Sequence, residues 1–136
     1  MRGTQQMAII SKSWSEQEQV AGVSGGYITL SGTTEQFSSD IDLETNGYDG
    51  AHVVVEVNFD VTPTDYVDIS LYASLDGTNY DDTSMWGQRI DKLTSPNQIS
   101  FIIRDLAHAR IGMKQTGNVN SHDVRIYVQK WKYVVA

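Results

Sequence analysis

The sequence predicts an all-β protein, folded as a single-domain antiparallel β-sandwich of jelly-roll type with about eight or nine strands. Over residues 67–74, apolar and polar side chains alternate with a period of two, which is typical of a half-buried strand. Asp76-Gly77 then supplies a turn that accepts positive φ. Similar runs recur along the 136 residues, and no segment shows helical periodicity. An immunoglobulin-like sandwich is the alternative, although its Cys…Trp…Cys pattern is absent.

The first half of the chain contains a short arm and four predicted strands. Residues 1–7 are predicted to be a flexible N-terminal arm, and residues 8–136 the sandwich domain. Ser15–Gln19 is predicted to start a helical turn, which the glycines at 22, 25 and 26 end. The fourth strand is β-branched, and its alternate residues share one apolar face. The predicted strands are residues 8–14, 27–30, 36–43 and 52–59.

Five more predicted strands occupy the second half of the chain. Polar loops separate them, and the last strand is the longest. The segment 98–104 has a nearly continuous apolar centre, which predicts an interior position in its sheet. Eight or nine strands at this spacing favour a jelly roll over other sandwiches. These strands are residues 67–75, 84–90, 98–104, 108–114 and 123–135.

The composition excludes several partners and chemistries. The formal net charge is -7, and the basic residues are scattered, so we expect no nucleic-acid binding. The chain has no cysteine, which excludes disulfides and Cys-based zinc sites. We expect no membrane association, because the N-terminus does not resemble a signal peptide and no apolar run approaches the ~20 residues of a membrane span.

No motif in the chain predicts catalysis, a cofactor or a metal site. The sequence contains neither a Gly-x-Ser-x-Gly elbow nor a phosphate-binding glycine loop. His52, His108 and His122 lie at strand ends, where we expect solvated side chains and no metal. Residues 76–82 have some of the oxygen ligands of a calcium loop, but their spacing favours a hairpin capped by Asp and Asn. We therefore expect a protein that is not an enzyme.

Two groups of residues are candidates for binding a partner. The first is an apolar N-terminal arm that is able to add a strand to a neighbour's open sheet edge. The second is a set of aromatic residues expected to be exposed, which are able to stack on a sugar or anchor an interface. The arm residues are Met7, Ile9, Ile10 and Trp14, and the aromatic residues are Tyr72, Tyr80 and Trp86.

Residues 36 to 133 resemble the small virion structural proteins of tailed bacteriophages. The resemblance rests on residues 41–52, on the Ser-Leu-Asp-Gly-x-x-aromatic hairpin at Ser74–Tyr80, and on residues 96–111 and 124–133. The same hairpin also occurs in carbohydrate-binding sandwiches. The resemblance implies a non-enzymatic particle component and carries over no catalytic residue.

From this resemblance we expect a capsid decoration (cement) protein. Such a protein is made in the host cytoplasm, binds the major capsid protein on the capsid surface, and forms a homo-oligomer, here expected to be a trimer. Two alternatives stay open. One is a carbohydrate-binding module of a tail or receptor-binding assembly, and the other is a head–tail (neck) component.

Overall fold

The computed structural model describes residues 9–60, 65–91 and 97–135. The predicted arm and Met7 lie outside these residues. Within them, no helix is long and apolar enough to cross a bilayer. The strands of the described residues are β1 (Ile10–Trp14), β2 (Glu18–Ala21), β3 (Ile28–Thr29), β4 (Gln36–Phe37), β5 (Ile41–Asp42), β6 (Gly50–Asn58), β7 (Val67–Ser74), β8 (Trp86–Ile90), β9 (Asn97–Arg104), β10 (His108–Gln115) and β11 (Asp123–Val135).

The strands form two antiparallel sheets. The first sheet has the order β1-β11-β6-β9, and β2 and β3 also pair with β11. The second sheet has the order β4-β10-β7-β8, and β5 also pairs with β10. The short strands β1, β2 and β3 all pair with β11, so together they occupy one position in the first sheet. In the same way β4 and β5 both pair with β10 and occupy one position in the second sheet. The result is the eight-position, two-sheet order of a jelly roll, as the sequence predicts.

The core lies between the sheets and is built by the predicted alternation. Every second residue of β6, β7, β10 and β11 points inward, so each of these strands has one apolar face. Fully buried side chains from both sheets meet there. They include Val53, Val55, Val57, Val67, Ile69, Ile111, Met113, Val124 and Ile126.

Three predictions about local structure are wrong. The predicted strand 36–43 is interrupted at residues 38–40, which separate β4 from β5. Ser15–Gln19 forms no helical turn, because the chain is extended there and enters β2 at Glu18. Residues 98–104 do not occupy an interior position, since β9 is the terminal strand of the first sheet. The apolar run arises because Phe101 packs against Trp86 of the second sheet, while Ile102 points outward.

Candidate functional site

The N-terminal strand and the C-terminal end of β11 form a two-stranded ribbon. β6 pairs with β11 only as far as Gly50, opposite Trp131. Beyond that point the described partner of β11 is β1, in a register that places Ile10 opposite Val135 and Trp14 opposite Trp131. Residues directly opposite each other in antiparallel strands share a face. One face therefore carries a surface that we call the ribbon patch: Ile10, Lys12, Trp14, Tyr133 and Val135.

The ribbon patch is largely apolar and exposed, and it packs against the buried ring of Trp131. Ile10 is 65% exposed and Val135 71% exposed. The rings of Trp14 and Trp131 lie 5.5 Å apart, and the Lys12 ammonium lies 4.9 Å from the Trp131 ring centroid. Trp131 itself is buried and forms the base of the patch. Three of the predicted contact residues, Ile9, Ile10 and Trp14, are exposed at this edge of the protein.

A second apolar surface lies where the two sheets end side by side. The rings of Trp86 on β8 and Phe101 on β9 have centroids 4.4 Å apart and bridge the two terminal strands. They border a depression of about 310 Å³. Met85 and Ile102 are more than half exposed beside it. We call this surface the edge cleft, and it is lined by Leu71, Met85, Trp86, Phe101, Ile102, Ile103, Leu106 and the charged Arg104.

The predicted aromatic residues do not form one site. Trp86 belongs to the edge cleft, whereas Tyr72 and Tyr80 lie by the outer face of the second sheet. The Tyr72 hydroxyl donates to Glu35 at 2.9 Å, and its ring meets Phe37 edge-on. Both tyrosines are half-buried rather than fully exposed. Burial and the hydrogen bond to Glu35 raise the pKa of Tyr72.

A shallow groove of about 280 Å³ runs beside Tyr72. Gly87 of β8 lies opposite Ser70 of β7 in register, and these two small residues line the groove. Its walls carry the charged side chains of Glu35, Asp68, Arg89 and Lys114. Arg89 and Asp68 are already paired, with Nε and Oδ1 2.9 Å apart.

His108, Asp40 and Tyr80 form a polar cluster beside this face. The His108 Nδ1 lies 2.7 Å from Asp40 Oδ2, and the Tyr80 hydroxyl donates to Asp40 Oδ1 at 2.5 Å. The hydrogen bond to Asp40 raises the pKa of His108 against the opposing effect of burial, and the nearby carboxylates of Asp42 and Glu44 act in the same direction. Burial, followed by the hydrogen bond to Asp40, raises the pKa of Tyr80.

We expect the His108–Asp40 pair to make stability depend on pH. A folded-state pKa above that of the unfolded chain gives a stabilisation that is complete below about pH 6.5 and is lost as the pH rises through the raised value. An NMR titration should place the midpoint of His108 above 6.5, and Asp40→Asn should lower it. The melting temperature of the native protein should fall over this pH window more than that of Asp40→Asn. An unchanged His108 midpoint in Asp40→Asn would contradict this assignment.

The third histidine lies in the interior, contrary to prediction. His122 is fully buried, and its Nε2 donates to Asp65 Oδ1 at 2.5 Å. Its Nδ1 accepts the backbone N–H of Asp60 at 3.1 Å. The second oxygen of Asp65 has no hydrogen-bond partner and is buried. His108 is also buried, so the expectation of solvated histidines holds only for His52.

The loop at residues 76–82 is a hairpin turn. Asp76 Oδ1 accepts the backbone N–H groups of Thr78 and Asn79, both at 2.8 Å. These bonds hold the pKa of Asp76 well below its usual value. Gly77 has φ of 77°, as the predicted turn requires. Among residues 9–60, 65–91 and 97–135, no group of three or more acidic or histidine side chains is placed to hold a metal.

Sequence patterns found part of these surfaces and missed the rest. The apolar character of Ile10 and Trp14 is visible in the sequence. The exposure of Tyr133, Val135 and Ile102 is not visible in the sequence. It depends on which strands lie at the ends of the sheet. The length of the last predicted strand, 13 residues against nine for β6, is the signal that part of it extends past its neighbour.

Neither a family model nor a curated protein matches the chain. One solved structure with a similar chain path is a mitogen derived from Yersinia pseudotuberculosis. Its sequence identity is 12% and its TM-score 0.44, and the alignment covers 93% of this chain and 86% of the mitogen. A family 16 carbohydrate-binding module has 14% identity and a TM-score of 0.43, covering 85% and 83%. VP2 of the infectious bursal disease virus subviral particle has 14% identity and a TM-score of 0.40, covering 91% of this chain and 32% of VP2. Sandwich folds host many unrelated functions.

Proposed function

We propose that the protein is a non-enzymatic structural component of a bacteriophage virion, a decoration (cement) protein that binds the major capsid protein on the capsid surface. The observation that carries the proposal is the pair of exposed apolar surfaces, the ribbon patch and the edge cleft. Contiguous exposed apolar residues beside polar ones mark protein–protein contacts. The resemblance of residues 36–133 to small virion proteins supports the particle as the setting.

A cement role requires a rigid body with contacts at its margins. The ribbon patch and the edge cleft include β1 and β9, which are the terminal strands of the first sheet. Terminal strands offer unpaired backbone groups as well as side chains to a neighbour. A small sandwich with such margins is suited to bridging adjacent capsid subunits.

The test of this proposal is the presence and copy number of the protein in purified virions. We expect quantitative gels to give a copy number comparable to that of the major capsid protein. Capsids stripped of the protein should rupture at lower temperature and regain their stability when it is added back. A protein absent from washed particles would refute the virion role, and a few copies per particle would indicate a neck or tail component.

A second candidate function, carbohydrate binding in a tail or receptor-binding assembly, is favoured by the groove beside Tyr72. Its walls offer carboxylates, an arginine and a lysine for hydrogen bonds to hydroxyl groups, and an aromatic ring at one side. A glycan array tests this candidate. Binding that disappears in Tyr72→Ala would support it, and an array without a signal would eliminate it.

A further inference from the structure

Three arginines in the described strands lie over aromatic rings, and one of them differs from the other two. Arg89 and Arg125 are each also paired with a carboxylate, which belongs to Asp68 and Glu56 respectively. Arg110 lies over two rings, yet no carboxylate among the described residues is paired with it. The same type of site is therefore complete at two positions and lacks its acid at the third.

The two rings fix the position of the Arg110 guanidinium. Its central carbon lies 3.7 Å from the ring centroid of Phe37 and 4.2 Å from that of Tyr80. Its Nε is buried and has no hydrogen-bond partner in the described part of the chain. The side chain as a whole is only half-buried, so its two terminal nitrogens reach solvent. Because the buried Nε is unsatisfied, an acceptor for this cation has to approach the terminal nitrogens.

We propose that Arg110 anchors a binding site for a small carboxylate ligand on the outer face of the second sheet. A guanidinium presents its N–H groups as a planar fork, and a carboxylate accepts two of them in parallel. The chain itself uses this chemistry at Arg89, where Nε and Nη2 donate to the two oxygens of Asp68. At Arg110 the ligand supplies the missing acid. The inference depends neither on the virion role nor on the carbohydrate candidate.

The acidic residues beside Arg110 are held by other donors. Both carboxylate oxygens of Glu35 lie 2.9 Å from the hydroxyl of Tyr72, the residue opposite Arg110. Asp40 accepts the hydroxyl of Tyr80. The negative charges of these two acids still act on an incoming anion through space, so the site tolerates one negative charge and disfavours two. A singly charged carboxylate therefore fits the site better than a phosphate dianion.

Cations on the same face offset part of that negative charge. Lys114 is exposed two outward positions along β10 from Arg110. The hydrogen bond to Asp40 raises the pKa of His108, which favours its charged form. Phe37 is 39% exposed beside the guanidinium, so a ligand with a ring next to its carboxylate gains an apolar contact as well.

Titration of the native protein with acetate and with glucuronate tests the proposal. The Nε–H signal of Arg110 in a proton–nitrogen NMR spectrum reports on the guanidinium directly. It should shift on addition of either carboxylate, whereas sodium chloride at the same ionic strength, or glucose as the neutral counterpart of glucuronate, should leave it in place. A larger response to glucuronate assigns the natural ligand to the sugar acids. Equal responses assign recognition to the carboxylate group alone.

Variants at two arginines give the matched comparison, with the ring signals of Phe37 and Tyr80 as the readout of binding. Arg110→Gln should abolish binding, and Arg110→Lys, which keeps the charge but loses the fork, should weaken it about tenfold. Arg89→Gln is the control, because Arg89 is exposed and already paired, and it should bind as the native protein does.

Three results would overturn the proposal. They are an Arg110 signal that responds to carboxylates no more than to sodium chloride, undiminished binding by Arg110→Gln, and a stronger response to phosphate than to acetate. Circular dichroism checks that each variant is folded. If Arg110→Gln unfolds, the titration of the native protein and the comparison with Arg110→Lys decide the question.

Discussion

Replacing His122 by alanine is expected to lower the free energy of unfolding by about 3–5 kcal/mol, a large fraction of the stability of a domain of this size. The substitution removes the single described hydrogen-bond donor to Asp65, whose other oxygen already lacks a partner. A buried carboxylate is then left without compensation, and the backbone N–H of Asp60 loses its acceptor on His122. Chemical denaturation followed by tryptophan fluorescence measures the loss.

His52→Ala is the matched control for this prediction. His52 is exposed on β6, so its removal should change the free energy of unfolding by no more than about 0.5 kcal/mol. Replacing both His122 and Asp65 by leucine should cost less than His122→Ala alone, because no unpaired charge stays buried. Equal effects of His122→Ala and His52→Ala would show that the buried pair does not contribute to stability.

The buried pair also shows where sequence analysis reaches its limit. The alternation in β6 and β7 is local, so their inward faces follow directly from residues 52–59 and 67–74. The partner of His122 is Asp65, 57 positions away, and no local pattern connects them. The position of His122 before a strand therefore predicts a solvated side chain, although the fold places the Asp65 carboxylate beside it.

The candidate surfaces were predictable to the extent that they depend on residue type. An apolar segment around Ile10 and Trp14 favours a contact role whatever the topology. The edge cleft depends on β9 being a terminal strand, and its continuous apolar centre favoured an interior position instead. Both arrangements bury Phe101 and Ile103 on one side, and only the order of strands decides whether Ile102 meets another strand or solvent.

Gly50→Ala is expected to destabilise the protein by about 1–3 kcal/mol, a typical cost of forcing extra volume into a packed site. A Cβ atom at Gly50 would lie 2.4 Å from the Trp131 ring and 2.6 Å from the carbonyl oxygen of Ile103. The backbone oxygen is held in the β6–β9 ladder, so the Trp131 ring is the group that has to move. The substitution therefore forces Trp131, the base of the ribbon patch, out of its position against Trp14.

Gly87→Ala separates this steric effect from the general effect of adding a methyl group to a strand glycine. At Gly87, the nearest atom to an added Cβ is 3.4 Å away, an ordinary contact, so we expect little change in stability. Only Gly50→Ala should shift the tryptophan emission to longer wavelength, because Trp131 becomes more exposed. Equal stability and emission in the two variants would show that the fit of Trp131 over Gly50 does not shape the patch.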